Sequence, residues 1–126
     1  MNQEQRTILI VEDNPLNMKL AADLLEFNGF QTLKAIEGES ALAILKTNTP
    51  LLILLDINLP DMDGFEVLKK IRANPALEAV KVIAMTAQAM THDVEIIKEA
   101  GFDRYIFKPI DVRNFIKIVK GIATPE

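Results

Sequence analysis

The sequence predicts an α/β fold in which five parallel strands alternate with five helices. Short apolar runs typical of strands buried on both faces recur along the chain, and segments with helical periodicity lie between them. Such alternation favours a three-layer, doubly wound (βα)5 architecture with strand order 2-1-3-4-5. The length of 126 residues suits a single domain. We therefore expect one domain over 1–126, with a core from about 7 to 122 and no output domain.

The apolar runs are the five predicted strands. They lie at 8–11, 31–35, 51–55, 82–85 and 105–107. Four of them are continuous apolar runs, as expected of strands that are covered on both faces of a sheet. The run at 31–35 mixes polar with apolar residues, which predicts an edge strand.

Capping residues and apolar spacing predict the helices. Asn14 and Pro15 begin the first helix, and Gly29 ends it in a left-handed conformation. We expect the next three helices at about 38–47, 64–73 and 91–101, and the last one after a cap at Asp111. The residues predicted to face the core share helical spacing: Leu16, Leu20, Leu24 and Phe27 in the first helix, then Ala41, Leu42, Leu45, Val67, Leu68, Ile71, Val94, Ile97, Ala100, Val112, Phe115, Val119 and Ile122.

Polar residues follow the strands at the points where the strands end. Glu12 and Asp13 follow the first strand, Asp56 the third, Thr86 the fourth and Lys108 the fifth. Because ligands of open α/β sheets bind at the carboxyl ends of the strands, these side chains should gather at one edge. Crowded carboxylates repel one another unless a cation holds them, and oxygen ligands without Cys or His suit Mg²⁺. A hydroxyl and an ammonium can bind phosphoryl oxygens and a carboxylate can act as nucleophile, so the pattern predicts a Mg²⁺-dependent phosphoryl site.

Composition excludes several other kinds of site. The chain has no Cys and a single His, which excludes disulfides, thiol catalysis and multi-His metal centres. Its 14 basic and 18 acidic residues give a net charge of −4, which argues against direct binding of nucleic acid. The N-terminal residues lack the apolar stretch of a signal peptide, and no apolar run approaches the ~20 residues that span a bilayer. We expect a cytoplasmic protein that does not associate with membranes.

Four sequence strings resemble the receiver domains of bacterial two-component response regulators. They are ILIVEDN at 8–14, LLDINLPDMDG at 54–64, MTA at 85–87 and YIFKP at 105–109, in this order over nearly the whole chain. The strings NPLNMKL at 14–20 and TAQAM at 86–90 look most like the stand-alone, single-domain regulators of the DivK type. The receivers of hybrid histidine kinases look similar too. The resemblance implies the CheY-like, flavodoxin-like version of the (βα)5 fold.

The resemblance also implies a phospho-acceptor and a set of metal ligands. Asp56 is expected to accept the phosphoryl group. Mg²⁺ would be bound by the carboxylates of Asp13 and Asp56, by the backbone carbonyl of Asn58, and by Glu12 largely through a water. The side-chain amides of Asn58 and Gln88 are expected to tune dephosphorylation by orienting the hydrolytic water.

Other residues are expected, from the same resemblance, to sense the phosphoryl group. Thr86 and Lys108 would hold its oxygens. Tyr105 would be the switch aromatic, turning inward when Thr86 moves toward the phosphoryl group. The peptide bond between Lys108 and Pro109 would be cis.

On this interpretation the protein is a stand-alone response regulator that catalyses only its own phosphorylation and dephosphorylation. A histidine kinase or a histidine phosphotransfer protein would supply the phosphoryl group. A downstream protein would bind the face formed by helix 4, strand 5 and helix 5, where Tyr105, Ile96 and Ile118 fall outside the core stripes. We expect a monomer or a weak homodimer.

Three other functions remain open from the residues. The first is a scaffold that is never phosphorylated; the presence of Asp13, Asp56, Thr86 and Lys108 argues against it, because a scaffold does not need them. An aspartyl-nucleophile phosphatase usually carries a second Asp two residues after the nucleophile, where this chain has Asn58. A flavodoxin-like FMN carrier needs a phosphate-cradling loop after the first strand, where Glu12 and Asp13 would repel the phosphate. Asp61 and Asp63 belong to none of these functions, and we expect both to be solvated turn residues.

Overall fold

Strands and helices alternate along the chain in the predicted order. The computed structural model describes residues 6–87 and 91–123, except for the side chains of 91 and 92. The elements are β1 (Thr7–Val11), α1 (Pro15–Phe27), β2 (Gln31–Ala35), α2 (Gly38–Ile44), β3 (Leu52–Asp56), α3 (Gly64–Arg72), β4 (Lys81–Thr86), α4 (Thr91–Ala100), β5 (Arg104–Phe107) and α5 (Val112–Ala123), with a 3-10 turn at Pro75–Leu77. All five strands are parallel, and their order β2-β1-β3-β4-β5 confirms the predicted topology.

Each face of the sheet has its own apolar core. Successive strand residues point to opposite faces, so Leu9 packs in a cluster with α2, α3 and α4, whereas Ile10 packs in a cluster with α1 and α5. Every residue of β1 and β3 is buried, whereas β2, which lies at one edge of the sheet as predicted, has a single buried residue. None of the helices in the described ranges is long and apolar enough to cross a bilayer.

The residues that cap and end α1 and α4 are those predicted from the sequence. The side chain of Asn14 accepts hydrogen bonds from the N–H groups of Leu16 and Asn17, so it caps α1 as predicted. Gly29 and Gly101 follow their helices with φ of +90° and +107°, a conformation that other residues rarely adopt. The one clear boundary error is α2, which ends at Ile44 and not near 47.

The predicted inward stripe of α1 is wrong. Leu16 and Phe27 are 78% and 90% exposed, Leu20 is exposed as well, and Leu24 is only half-buried. The helix instead buries a second stripe with the same helical spacing, which consists of Met18, Ala21, Ala22 and Leu25. Two alanines lie at the centre of this buried face. Both stripes are apolar, and the close packing available to the smaller side chains decides between them.

Several other predicted orientations also need correction. Ala100 and Val112 are exposed, and each is the terminal residue of its helix. Ile118 is only 7% exposed and belongs to the α1–α5 core, so it does not fall outside the core stripe. Ile96 is exposed, but it lines a small cavity with Ile57 and Phe65, on the side of α4 that faces α3. The inward residues of α3 are all buried, as predicted.

Candidate metal-binding and phosphoryl site

Three carboxylates meet where β1 and β3 end side by side. Glu12 and Asp13 directly follow β1, and Asp56 is the last residue of the neighbouring β3. Each offers one oxygen, and these oxygens all lie within 4.8 Å of one another. Glu12 and Asp56 are 1% and 2% exposed, whereas Asp13 is open to solvent. The cluster therefore concentrates negative charge in a place where water screens only part of it.

Among the described residues, Lys108 is the cation that contacts this cluster of carboxylates. It follows β5, and its Nζ lies 2.7 Å from Asp56 Oδ2 and 2.8 Å from Glu12 Oε1. The contact with Asp56 is a hydrogen bond, while the contact with Glu12 Oε1 lacks hydrogen-bond geometry and is an ionic contact only. The burial of Lys108 acts to lower its pKa, but its hydrogen bond to Asp56, its close contact with Glu12 and the negative charges of both carboxylates outweigh this effect and raise the pKa above its usual value.

Backbone N–H groups hold the remaining carboxylate oxygens in place. The N–H of Asn14 donates to Glu12 Oε2 at 3.0 Å, and the N–H of Asn58 donates to Asp56 Oδ1 at 2.9 Å. The burial of Glu12 raises the pKa of its carboxyl, although Lys108 and the Asn14 N–H act in the opposite direction. Both buried carboxylates are thus fixed in orientation by the turns that follow their strands.

The turn after β3 depends on a glycine at the start of α3. The N–H of Gly64 donates to the carbonyl of Ile57 at 2.7 Å. A Cβ at position 64 would lie 2.7 Å from the Ile57 Cα and 2.9 Å from the Asp56 carbonyl oxygen, closer than real Cβ atoms come. Only glycine therefore lets α3 begin this close to the carboxylate site, which explains its place eight residues after Asp56.

Thr86 and Tyr105 lie on one face of the sheet beside the cluster. Thr86 is the last residue of β4, is 1% exposed, and pairs in register with Phe107 on β5. Tyr105 pairs in register with Ala84, two residues before Thr86, so all of these side chains point to the same face. Tyr105 is half-buried, and its ring centroid lies 5.3 Å from that of Phe107.

The residues present fit a hard divalent cation. Glu12 Oε1 is buried without a hydrogen bond, and two further carboxylates offer oxygens within 4.8 Å of it. Three carboxylates against one ammonium leave an uncompensated charge of about −2, which a divalent cation would neutralise. Asn58 lies in the exposed turn two residues after Asp56, and its N–H ties that turn to the Asp56 carboxylate.

The structure brings four of the predicted site residues together. Asp13, Asp56, Glu12 and Lys108 converge, and the Lys108–Pro109 peptide bond is cis. Gln88 lies outside the described residues.

Asp61 and Asp63 are exposed turn residues, as predicted, but each also caps a helix. Asp61 accepts 2.8 Å hydrogen bonds from the N–H groups of Gly38 and Glu39, and so caps α2 from 22 and 23 residues away. The bond from Gly38 is the main reason why the pKa of Asp61 lies below its usual value; burial opposes it, and the bond from Glu39 adds to it. Asp63 caps α3 through the N–H of Glu66. The Asp63 cap has a local sequence signal, whereas the Asp61 cap spans two elements and has none.

The class of protein follows from this fold and this site. The chain belongs to the family of response regulator receiver domains, because the model of that family matches residues 8–120. Receivers of this family are signalling domains of two-component systems.

The chain is 44% identical over 116 residues to the polar-differentiation response regulator DivK of Brucella anthropi, covering 92% of this chain and 94% of that protein. DivK of Brucella abortus is similar to the same extent.

Solved structures show the same architecture. A putative response regulator from Chloroflexus aurantiacus superposes with a TM-score of 0.88 at 29% identity, covering 94% of this chain and 97% of that one. The receiver domain of the sensor histidine kinase PA1611 from Pseudomonas aeruginosa superposes with a TM-score of 0.86 at 30% identity and the same coverage. That receiver has a magnesium ion coordinated in its active-site cleft.

Proposed function

We propose that this protein accepts a phosphoryl group on Asp56 in a Mg²⁺-dependent reaction and signals through protein–protein contacts. The observation that carries the proposal is the convergence of Asp56 with two further carboxylates and Lys108 at one sheet edge of a receiver-family chain. The phosphoryl donor is a histidine kinase or a histidine phosphotransfer protein. We place the protein in the cytoplasm, as a monomer or a weak homodimer.

Asp56 is the nucleophile because it is the buried carboxylate that two donors orient. Asn58 N–H donates to one of its oxygens and Lys108 Nζ to the other. A carboxylate oxygen attacks the phosphorus of phosphohistidine, so that an O–P bond forms while the P–N bond breaks and the imidazole keeps the bonding electron pair. Asp13, Asp56, the Asn58 carbonyl and, largely through a water, Glu12 would hold Mg²⁺, which would supply positive charge against the phosphoryl oxygens.

Lys108 and Thr86 then respond to the new charge. Phosphorylation adds about two negative charges next to an ammonium that already contacts Asp56. Lys108 shifts from the carboxylates to the phosphoryl oxygens, and the Thr86 hydroxyl donates to another of them. Tyr105 follows the movement of Thr86 on the same face of the sheet, and this change reaches the surface formed by α4, β5 and α5.

Intact-protein mass spectrometry after incubation with acetyl phosphate tests the proposal. The wild-type protein should gain one phosphoryl group in Mg²⁺, and much less in EDTA. Asp56→Asn should gain none. The matched control is Asp23→Asn, the same chemical change at an exposed α1 carboxylate, which should label like the wild type. Equal labelling of Asp56→Asn would refute the assignment of the nucleophile, and equal labelling in EDTA would refute the role of Mg²⁺.

A further inference from the structure

The segment between β3 and α3 is a loop that is closed at its base. We call residues 57–63 the β3–α3 loop. The Gly64 N–H donates to the Ile57 carbonyl at 2.7 Å, and Asn58 forms an antiparallel bridge with Asp63. Because the two ends of the loop are joined in this way, a displacement of its middle is transmitted to the backbone of Asn58.

The middle of the β3–α3 loop is attached to the start of α2. Both carboxylate oxygens of Asp61 accept hydrogen bonds there, Oδ1 from the Gly38 N–H and Oδ2 from the Glu39 N–H, each at 2.8 Å. These amides lie in the first turn, where a helix provides no acceptor of its own. Among the described residues, the side chain of Glu37 at the N-cap position makes no capping bond to α2. Asp61 therefore replaces a missing local cap with one that comes from the loop.

Side-chain packing brings the same part of the loop onto α2. A Cβ at position 38 would lie 2.6 Å from Met62 Cγ and 2.9 Å from Val67 Cγ2, so Gly38 leaves the space that Met62 occupies. Met62 is half-buried against the apolar core of this face of the sheet. The lack of a side chain at position 38 thus lets the loop approach α2 closely enough for the Asp61 carboxylate to reach both amides.

The beginning of the β3–α3 loop is attached to the nucleophile. The Asn58 N–H donates to Asp56 Oδ1 at 2.9 Å, and Asp56 is buried whereas Asn58 is exposed. The Asn58 carbonyl is also one of the Mg²⁺ ligands of the proposed function. A single short loop therefore connects the cap of α2 to the residue that orients the Asp56 carboxylate.

We propose that Asp61 is a positioning residue for the metal and phosphoryl site. By fixing the middle of the β3–α3 loop on α2, it keeps Asn58 in place toward Asp56 and toward Mg²⁺. The inference rests on the proposed function, since it adds a residue that acts on the same site through Asn58. Outer partners that orient metal ligands commonly change metal affinity about 10–100-fold when they are removed. Loss of Asp61 should therefore weaken Mg²⁺ binding, and bound Mg²⁺ should in turn tighten the cap.

Titration of the unphosphorylated, ¹⁵N-labelled full chain with Mg²⁺, followed by NMR, tests the proposal. Asp61→Ala should raise the dissociation constant for Mg²⁺ about tenfold, because the loop that orients Asn58 is released. Asp61→Asn keeps an acceptor oxygen for one of the two amides, and its dissociation constant should lie within about threefold of the wild-type value. An unchanged dissociation constant for Asp61→Ala would overturn the proposal.

Two control variants separate positioning from charge and from helix stability. Glu39→Gln removes one negative charge from the neighbouring exposed side chain and keeps the backbone bond to Asp61. Ala43→Gly weakens the same helix at an exposed position outside its first turn. Both variants should leave the dissociation constant for Mg²⁺ within about twofold of the wild-type value. If either control weakened Mg²⁺ binding as much as Asp61→Ala does, the positioning role would be wrong.

Hydrogen exchange measures the same coupling from the side of α2. The amides of Gly38 and Glu39 exchange when the Asp61 cap opens, so saturating Mg²⁺ should slow their exchange in the wild type. Because coupling is reciprocal, the slowing should match the factor by which Asp61→Ala weakens Mg²⁺ binding, about tenfold. In Asp61→Ala, Mg²⁺ should not slow these two amides. A purely structural cap predicts lower stability with neither effect, and wild-type exchange that is unchanged by Mg²⁺ would overturn the proposal.

Labelling by acetyl phosphate, measured on the same samples, separates this inference from the proposed function. Mg²⁺-dependent labelling of the wild type, together with equal Mg²⁺ affinity of the wild type and Asp61→Ala, refutes only the role of Asp61. Failure of the wild type to label, together with weaker Mg²⁺ binding by Asp61→Ala, refutes only the transfer to Asp56. Absence of Mg²⁺ binding by the wild type would overturn both.

Discussion

Replacing Lys108 by Met removes the cation that allows two carboxylates to be buried together. Its Nζ lies 2.8 Å from Glu12 and 2.7 Å from Asp56, whose side chains are 1% and 3% exposed. Met keeps an unbranched apolar stem of similar length but carries no charge. Lys108→Met therefore leaves both carboxylates in the interior without a positive partner, and we expect it to destabilise the fold.

The expected loss is large compared with the stability of a domain. Removal of one partner from a buried ion pair costs about 3–5 kcal/mol. A domain of this kind has a free energy of unfolding of about 5–15 kcal/mol, so the loss is a substantial part of the whole. The matched control is Lys19→Met, which removes an ammonium that is 75% exposed and pairs with Asp23 at 3.0 Å. That change should cost less than about 1 kcal/mol.

The loss should depend on pH in a defined direction. Burial raises the pKa of Glu12 above its usual value of 4.5, and the contact with the Lys108 ammonium partly opposes this. A group whose pKa is higher in the folded state contributes stability that is present below its unfolded pKa and is lost as the pH rises through its folded pKa. Without Lys108 the folded pKa of Glu12 rises further. Lys108→Met should therefore be closest to the wild type in acid and furthest from it at neutral pH.

Urea unfolding followed by circular dichroism measures these quantities, since the chain has one Tyr and no Trp for fluorescence. Added Mg²⁺ should reduce the deficit of Lys108→Met, because a bound cation replaces the lost charge. The reasoning fails if Lys108→Met costs no more than Lys19→Met at neutral pH. It also fails if the difference in free energy of unfolding between the wild type and Lys108→Met grows as the pH falls.

Three further changes test how the fold positions the site. Gly64→Ala should cost about 1–3 kcal/mol in thermal unfolding, because its Cβ would lie 2.7 Å from a backbone atom of the turn after β3; an unchanged melting temperature would contradict this. Leu25→Ala should cost about 2–5 kcal/mol in urea unfolding, whereas Phe27→Ser, at a side chain that is 90% exposed, should stay within about 0.5 kcal/mol; the reverse order would restore the stripe predicted from sequence. Asp61→Ala should lower stability by removing the cap of α2. Because hydrogen bonds lower the pKa of Asp61 in the folded state, its contribution is present above pH 3.8 and is lost as the pH falls through the folded pKa, so stability measured against pH should show the variant and the wild type converging in acid.

Local signals were sufficient for the elements and for most of the site. Helix starts at Asn14 and ends at Gly29 and Gly101 were predictable because caps and glycine stops act within a few residues. The convergence of Glu12, Asp56 and Lys108 was predictable because parallel strands align their carboxyl ends at one edge. The roles of individual residues came from the resemblance to receiver domains, since residue types alone left other functions open.

Contacts between distant segments were not predictable in the same way. Asp61 caps α2 across more than 20 residues, and the sequence around it has the appearance of an ordinary turn. The position of Ile96 in a cavity beside Phe65, and the burial of Ile118, depend on how α3, α4 and α5 rotate against the sheet. Such rotations are decided by packing between elements, which helical spacing does not specify.

The sequence by itself determined the order of the strands and helices, the edge at which the acidic residues gather, and the family to which they point. It did so because period, capping and strand alternation are local properties of the chain. Only the tertiary structure decided that α1 buries Met18, Ala21, Ala22 and Leu25 rather than the stripe that begins at Leu16. Only the tertiary structure, likewise, showed Lys108 Nζ in contact with both buried carboxylates. Both outcomes depend on which side chains can pack or pair at close range once the elements have met.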